Sequence, residues 1–215
     1  ARHYRVGPLS APSATARVAA GGGTLGTSIV NALSLAGTAR LDLSDHDLAI
    51  DYSGSSVLNS IRASIATGFA GGAWNGVGIN SSAAAASTSP KTALGYAEAS
   101  QILSPGGGVF SGVAVDGTTV LVKYTVAGDA NLSGNVNLDD FTALAANFGN
   151  AGVWTTGDFN YNGLVNLDDF TILAASFGQT LPADVARGAA VPEPAGAIGA
   201  LVAAVVGLSR RRRSR

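Results

Sequence analysis

Apolar and polar residues alternate in short stretches from residue 39 onward, which is the period of a half-buried β-strand. Residues 39–43 and 48–52 alternate in this way around a four-residue polar segment and predict a hairpin. Further strands are expected over residues 93–97 and 109–126. A helix is expected at residues 57–69, where apolar residues recur every fourth position. This part of the chain therefore predicts a mainly β region with little helix.

Two later segments have helical periodicity and repeat each other. Residues 128–149 read GDANLSGNVNLDDFTALAANFG, and residues 157–178 read GDFNYNGLVNLDDFTILAASFG. The copies are identical at sixteen of twenty-two positions and begin 29 residues apart. In each copy, a polar loop precedes apolar residues at helical spacing, and a glycine follows where a helix would end. Each copy therefore predicts a loop followed by one helix.

The polar residues of both loops have the spacing of a calcium-binding loop. Calcium takes six to eight oxygen ligands, and a twelve-residue loop supplies them from positions 1, 3, 5, 7, 9 and 12, with a turn glycine at position 6. Gly134 and Gly163 occupy position 6. The candidate ligands, with the backbone carbonyl at position 7, are Asp129, Asn131, Ser133, Asn135, Asn137 and Asp140, and then Asp158, Asn160, Asn162, Leu164, Asn166 and Asp169. Two calcium ions are expected.

Asp, Asn, Ser and Gly also form ordinary turns and helix N-caps, so one such loop would support either interpretation. Two copies in which every ligand position offers an oxygen favour calcium. The charge balance points the same way, because residues 128–178 contain six Asp and no Lys or Arg. Without a cation, the acidic side chains of each loop would repel one another.

This duplicated loop–helix pattern resembles the type I dockerin family over residues 127–181. The resemblance implies a non-catalytic calcium-binding module with a cohesin partner. Position 5, usually Asp in that family, is Ser133 and Asn162 here, which predicts weaker calcium binding. Both copies have Leu-Asp at positions 10 and 11, so the partner is expected to be a cohesin-like or another surface protein. The expected contact residues are Leu138, Asp139, Thr142, Leu167, Asp168 and Thr171.

The last 25 residues have the order of a sorting signal. Residues 191–194 read VPEP, residues 195–208 carry no polar side chain, and five arginines fall within the last six positions. A short apolar run before a basic cluster is typical of a membrane segment whose end stays in the cytoplasm. This order resembles the PEP-CTERM signal, which implies recognition by an exosortase, transient anchoring in the inner membrane and export to the surface. A buried C-terminal helix is the alternative, but the arginines disfavour burial.

Composition narrows the functional class. The 215 residues include no Cys, which excludes disulfides and thiolate metal sites. Outside the five terminal arginines there are eight basic and fourteen acidic side chains, a balance that disfavours nucleic-acid binding. The 29 glycines and the 13% of charged residues are typical of a secreted, loop-rich β protein. The order of the segments also resembles large surface proteins of planctomycete-type bacteria.

The sequence provides weak candidates for catalysis. His46 lies between two Asp residues, but a turn histidine flanked by acids is usually solvated. Glu98 and Asp116 could form a carboxylate pair for glycoside hydrolysis, although nothing in the sequence brings them together. Trp74 and Tyr96 could stack on a sugar, but buried aromatic anchors are more common. We therefore expect no enzymatic activity within this chain.

The expected architecture is an incomplete, mainly β N-terminal region, a small α dockerin-like domain of two calcium loop–helix units, and a C-terminal apolar helix. The expected segments are a linker or domain edge (1–23), the β region (24–126), the calcium-binding pair (127–181), a linker (182–190) and the sorting signal (191–215). The expected function is protein interaction or bracing in an exported cell-surface protein. The alternative is an appendage of a secreted polysaccharide-degrading enzyme, an O-glycosyl hydrolase, whose catalytic domain lies upstream.

Overall fold

The N-terminal part of the chain winds through three short strands in each of its first two turns and through two strands in the third. The computed structural model describes residues 3–5, 7–11, 13–18, 20–21 and 26–181. The strands of the successive turns are β1 (His3–Arg5), β2 (Leu9–Ala11) and β3 (Thr15–Arg17), then β4 (Thr27–Val30), β5 (Leu33–Leu35) and β6 (Arg40–Asp42), and then β7 (Asp47–Asp51) and β8 (Gly78–Asn80).

Equivalent strands of successive turns pair in parallel, and we call β1 to β8 the parallel coil. β4 lies between β1 and β7, β5 pairs with β2, and β6 lies between β3 and β8. His3 is opposite Thr27, and Thr15 is opposite Arg40, so one turn takes 24 or 25 residues here. Parallel pairing requires long connections between paired strands, and the other strands of each turn supply them.

The predicted hairpin at residues 39–52 is wrong. Its two strands, β6 and β7, belong to different sheets and pair with strands of other turns. The segment between them turns the chain from one face of the coil to the next, with Ser44 at a φ of 54° and His46 donating its backbone N–H to the Leu43 carbonyl at 3.0 Å. Alternation of apolar residues identifies the side chains that face inward but leaves the neighbouring strand undetermined.

The predicted helix at residues 57–69 is confirmed as α1 (Leu58–Phe69), which lies between β7 and β8. Ile61 and Ile65 face the core and are almost fully buried. Gly68 allows the helix to approach β8 closely, because a Cβ at this position would lie 1.9 Å from the Ile79 carbonyl oxygen. The glycine therefore sets how closely α1 packs on the coil.

Antiparallel strands follow the coil. β12 pairs with β7 on one side and with β9 on the other, which extends the first sheet to the order β1-β4-β7-β12-β9. The strands predicted at 93–97 and at the end of 109–126 are confirmed by β9 and β12. The elements of this part are α2 (Ser82–Ala86), β9 (Thr92–Glu98), α3 (Ala99–Ile102), β10 (Gly108–Phe110), β11 (Val113–Val115) and β12 (Thr119–Val126).

The two repeats form the predicted helices, α4 (Leu138–Asn147) and α5 (Leu167–Ser176). The second loop and the short turn Trp154–Thr156 contact β9 directly. The Tyr161 hydroxyl donates to the Leu94 carbonyl at 3.0 Å, and the Trp154 backbone N–H donates to the Tyr96 hydroxyl at 3.3 Å. Gly95 leaves the space for this contact, because a Cβ there would lie 2.6 Å from Trp154 Nε1. One hydrophobic core therefore continues from the coil into the repeats.

The predicted fold class is corrected by this arrangement. The chain is a mixed α/β fold, and the repeats share one compact unit, Ala1–Asp184, with the strands instead of forming a small separate α domain. Their buried aromatic residues explain why, since Trp154 and Tyr161 would be exposed without β9. The predicted linker 182–190, sorting signal 191–215 and apolar helix lie outside the described residues. Within the described part, no helix has the length and apolar character needed to cross a membrane.

Candidate metal centre

The two predicted loops have the same backbone course. β12 runs into the first loop, and the second follows a short helical turn, Trp154–Thr156. Gly134 and Gly163, at position 6, have φ values of 92° and 88°, and Leu132 and Tyr161, at position 4, have 58° and 62°. The left-handed conformation at position 6 is where glycine is favoured. The positive φ expected at the two turn glycines is therefore confirmed.

Four fully buried carboxylates close the loops at positions 1 and 12. In the first loop, Asp140 Oδ1 accepts from the Ala130 N–H at 2.8 Å, and its Oδ2 accepts from the Asn137 N–H at 2.8 Å. Asp169 does the same in the second loop, with the N–H groups of Phe159 at 2.8 Å and Asn166 at 3.0 Å. The last carboxylate thus holds the beginning and the end of each loop together.

Burial makes these carboxylates difficult to ionise without a cation. Desolvation raises the pKa of Asp129 and Asp140 above their ordinary value, and the charge of Asp129 raises the pKa of Asp140 further. Desolvation, together with the charge of Asp169, raises the pKa of Asp158 to about 6 despite a hydrogen bond from the Gly163 N–H. A nearby positive charge would favour the ionised forms.

The second loop has a buried oxygen without a partner. Asp158 Oδ1 has no hydrogen-bond partner of good geometry, although the side chain is fully buried and the Asn162 N–H is close enough to offset part of the desolvation that raises the pKa of Asp158. A buried, unpaired carboxylate oxygen is costly, and a bound cation is one way of satisfying it. The residues of this loop therefore fit a hard cation such as calcium, which prefers oxygen ligands. In the described part of the chain, no group of three His, Cys, Asp or Glu side chains could hold a metal ion. Each loop offers two carboxylates, and its other candidate ligands are amide, hydroxyl and carbonyl oxygens.

The neutral candidate ligands make local hydrogen bonds within their own loops. The Asn131 side chain accepts from the Ser133 N–H, and the Asn160 side chain accepts from the Asn162 N–H, both at 3.0 Å. The Ser133 hydroxyl lies 3.4 Å from the Asn135 carbonyl oxygen, which is the position 7 candidate. These local bonds order the loops in the absence of metal.

The position 9 side chains cap the helices. Asn137 Oδ1 accepts from the Asp139 N–H, and Asn166 Oδ1 accepts from the Asp168 N–H, both at 2.7 Å. This is the N-cap alternative that the sequence left open, and it employs the oxygen that a ligand would use. Position 9 is therefore the weakest part of the predicted ligand set.

Each loop is joined to the segment that follows the helix of the other repeat. Residues 178–181 bond to the first loop through Gly178 N–H to Val136 O at 2.8 Å, Val136 N–H to Gln179 O at 3.0 Å and Leu181 N–H to Gly134 O at 2.9 Å. Residues 149–152 make the three equivalent bonds to the second loop, at 2.8, 2.9 and 3.0 Å. We call residues 149–152 and 178–181 the straps. Because the straps are exchanged, neither loop is complete without the other repeat.

Two cations near the loops come from outside the repeats, and the sequence reasoning missed them. Arg62, on α1, places Nη2 3.6 Å from Asp158 Oδ2. Lys123, on β12, donates from Nζ to the Leu132 carbonyl at 2.6 Å. Arg62 is remote in sequence and carries no local signal. The loops therefore have basic neighbours, although residues 128–178 contain none.

The six residues expected to contact a partner all lie on the surface at the starts of the two helices. Leu138 and Leu167 are 66% and 65% exposed. Phe148 and Phe177, at the helix ends, are also exposed, so the predicted apolar face is only partly buried. Leu144 and Leu173 are the fully buried members of that face.

The weak catalytic candidates have structural contacts. His46, expected to be solvated, is buried at 5% exposure, and its Nδ1 lies 3.3 Å from Asp45. Glu98 accepts hydrogen bonds from the hydroxyls of Tyr52 and Ser56. Trp74 and Tyr96 are confirmed as buried aromatic anchors, at 4% and 1% exposure.

Comparison with known proteins gives little. No protein-family model matches the chain. No curated protein matches it either. Among solved structures, part of the chain is similar to a type II cohesin-dockerin domain from Bacteroides cellolosolvens, with 42% identity over 26% of this chain and 92% of that chain, and a TM-score of 0.24.

Proposed function

We propose that residues 127–181 form a non-catalytic, calcium-stabilised module that braces the end of the parallel coil in an exported bacterial surface protein. The observation that carries this proposal is the pair of equivalent loops, each closed by two buried carboxylates, with Asp158 Oδ1 left unpaired. Bracing is supported by the continuous core between the repeats and β9. A calcium ion would supply positive charge that favours the ionised carboxylates, and the carboxylates at positions 1 and 12 would be its charged ligands.

Calorimetry and circular dichroism of the whole chain test this proposal. We expect two calcium ions to bind with dissociation constants of about 10⁻⁵ to 10⁻³ M, the range of extracellular modules. Asp129→Ala and Asp158→Ala should each remove one ion, and EDTA should lower the melting temperature. Absence of calcium heat together with an unchanged melting temperature in EDTA would overturn calcium stabilisation.

A second candidate function is protein docking, which the exposed Leu138 and Leu167 favour. The straps make equivalent hydrogen bonds to the two loops, so a cohesin-like partner could engage either of two equivalent helix starts. Titration with a purified cohesin domain is the test. Asp139→Arg or Asp168→Arg alone should retain binding, and the double variant should lose it. No binding of the unaltered chain would leave bracing as the function.

The sorting tail belongs to the same proposal. Its basis is the sequence order of residues 191–215, in which a short apolar run precedes the arginines. We expect an exosortase to remove this segment after transient membrane contact. Intact-mass measurement of protein taken from the cell surface checks this, since a mass that includes the terminal arginines contradicts removal. A glycoside hydrolase domain in the upstream reading frame would instead favour the enzyme-appendage alternative.

A further inference from the structure

The two loops differ in what satisfies their first carboxylate. Asp129 Oδ1 accepts from the Ser133 N–H at 2.9 Å, and Oδ2 accepts from the Gly134 N–H at 2.7 Å and from the Thr125 hydroxyl. Both carboxylate oxygens of Asp129 therefore accept hydrogen bonds from within the chain. In the second loop, Asp158 Oδ2 accepts from the Gly163 N–H at 2.9 Å, and Oδ1 has no hydrogen-bond partner.

In the first loop the equivalent oxygen, Asp129 Oδ1, is bonded by the position 5 residue Ser133, whereas the position 5 residue of the second loop, Asn162, donates its N–H to Asn160 Oδ1 at 3.0 Å. A second difference affects Oδ2. The position equivalent to Thr125, four residues before the first carboxylate, is Trp154, just before the second repeat. Tryptophan has no hydroxyl to donate, and its indole N–H donates instead to the Asp129 carbonyl at 2.7 Å. Asp158 Oδ2 therefore lacks the hydroxyl donor that Thr125 provides to Asp129 Oδ2.

Arg62 supplies positive charge at the same place. Its Nη2 lies 3.6 Å from Asp158 Oδ2 and 2.9 Å from where a Cβ of Gly163 would stand. The guanidinium thus lies against the turn glycine of the second loop, while the arginine side chain remains 31% exposed. In the first loop, Lys123 bonds to the Leu132 carbonyl, at position 4, and its Nζ lies 3.9 Å from where a Cβ of Gly134 would stand. Desolvation raises the pKa of Asp129 and the charge of Lys123 acts to lower it, but within the described residues Arg62 is the cation that forms an ion pair with a loop carboxylate.

We propose that Arg62 is an intramolecular counter-cation of the second loop, which balances Asp158 in the metal-free protein and opposes calcium binding there. This inference rests on the proposed calcium binding. Arg62 stabilises the ionised carboxylate when the loop is empty of metal, and it repels a divalent ion bound by the same carboxylate. The second loop therefore binds calcium more weakly than the first, and its affinity depends on a residue of α1.

Calorimetry tests the calcium affinity of each loop separately, in variants in which the other loop has lost its first carboxylate. Asp129→Asn leaves the second loop intact, and Asp158→Asn leaves the first loop intact. We expect Arg62→Gln to strengthen calcium binding by the second loop about three- to tenfold, which corresponds to one charge a few ångströms from the ion after screening. Binding by the first loop should not change. Arg62→Lys should restore weak binding, and Arg40→Gln, an exposed arginine on β6, is the matched control.

Thermal unfolding of the full chain supplies a second measurement, which does not depend on the loop backgrounds. Arg62→Gln should lower the melting temperature in EDTA, and saturating calcium should abolish or reverse this difference. An equal loss in both conditions would show an ordinary packing role and overturn the inference. Two calcium ions bound with unchanged affinity in Arg62→Gln would overturn the inference alone, whereas no calcium binding by the unaltered chain would overturn the proposed function with it.

Discussion

Gly95→Ala tests whether the repeats really pack on β9. The added methyl group would lie 2.4 Å from Leu132 Cδ2 and 2.6 Å from Trp154 Nε1, both closer than real Cβ contacts allow. Leu132 and Trp154 are buried in the core that continues into the repeats, so neither can move without displacing its neighbours. We therefore expect the substitution to push the repeats away from the sheet.

The magnitude follows from two effects. Overpacking of a dense core costs about 1–3 kcal/mol. Displacement of Trp154 would also weaken its buried hydrogen bond to the Asp129 carbonyl, which contributes about 1 kcal/mol. A loss of about 2–4 kcal/mol lowers the melting temperature by roughly 5–15 °C in a chain of this size.

Thermal unfolding in saturating calcium, followed by circular dichroism and tryptophan fluorescence, measures the effect. Gly106→Ala is the matched control, because a Cβ there meets nothing within 4 Å and the backbone is not left-handed. Both variants reduce the freedom of the unfolded chain equally, so their difference isolates the contact. If Gly95→Ala melts within about 2 °C of Gly106→Ala, the packing of the repeats on β9 is refuted.

Two further substitutions probe the coil. Asn80→Ala removes a buried amide whose Nδ2 donates to three carbonyl oxygens at 2.8 to 3.1 Å. Urea unfolding should therefore show that the free energy of unfolding falls by about 2–4 kcal/mol, and a fall of less than about 0.5 kcal/mol would contradict a stabilising role for this amide. Burial acts to raise the pKa of Asp42, but hydrogen bonds from Ser82 and Ser44 and the charge of Arg17 outweigh it and hold the pKa below its ordinary value. Asp42 therefore stabilises the fold above the unfolded pKa of about 3.9, and this contribution is lost as the pH falls through the lower folded value. Asp42→Asn should lower the melting temperature at neutral pH and progressively less below about pH 4, and a pH-independent difference would contradict this.

Local patterns in the sequence identified the repeats well. The loop glycines, the helices and the N-caps depend on residues within about twelve positions, so their spacing alone specifies them. The same argument failed for residues 39–52, because strand alternation is equally compatible with a hairpin and with a parallel coil. Trp154 was the missed signal for the fold class, since a large aromatic residue between two short repeats needs a surface to cover it. Arg62 reaches the second loop through tertiary packing, which no local spacing reveals.

The exchanged straps have a mechanical consequence. The chain leaves the repeats at Leu181, whose N–H is bonded to the Gly134 carbonyl of the first loop. A pull on the chain beyond Leu181 is therefore transmitted to the first loop before it reaches α5. The bonds at Gln179 and Gly178 carry the load next. Because the first loop follows β12, tension applied at Leu181 would pass into the sheet through the first loop, as the proposed bracing role requires.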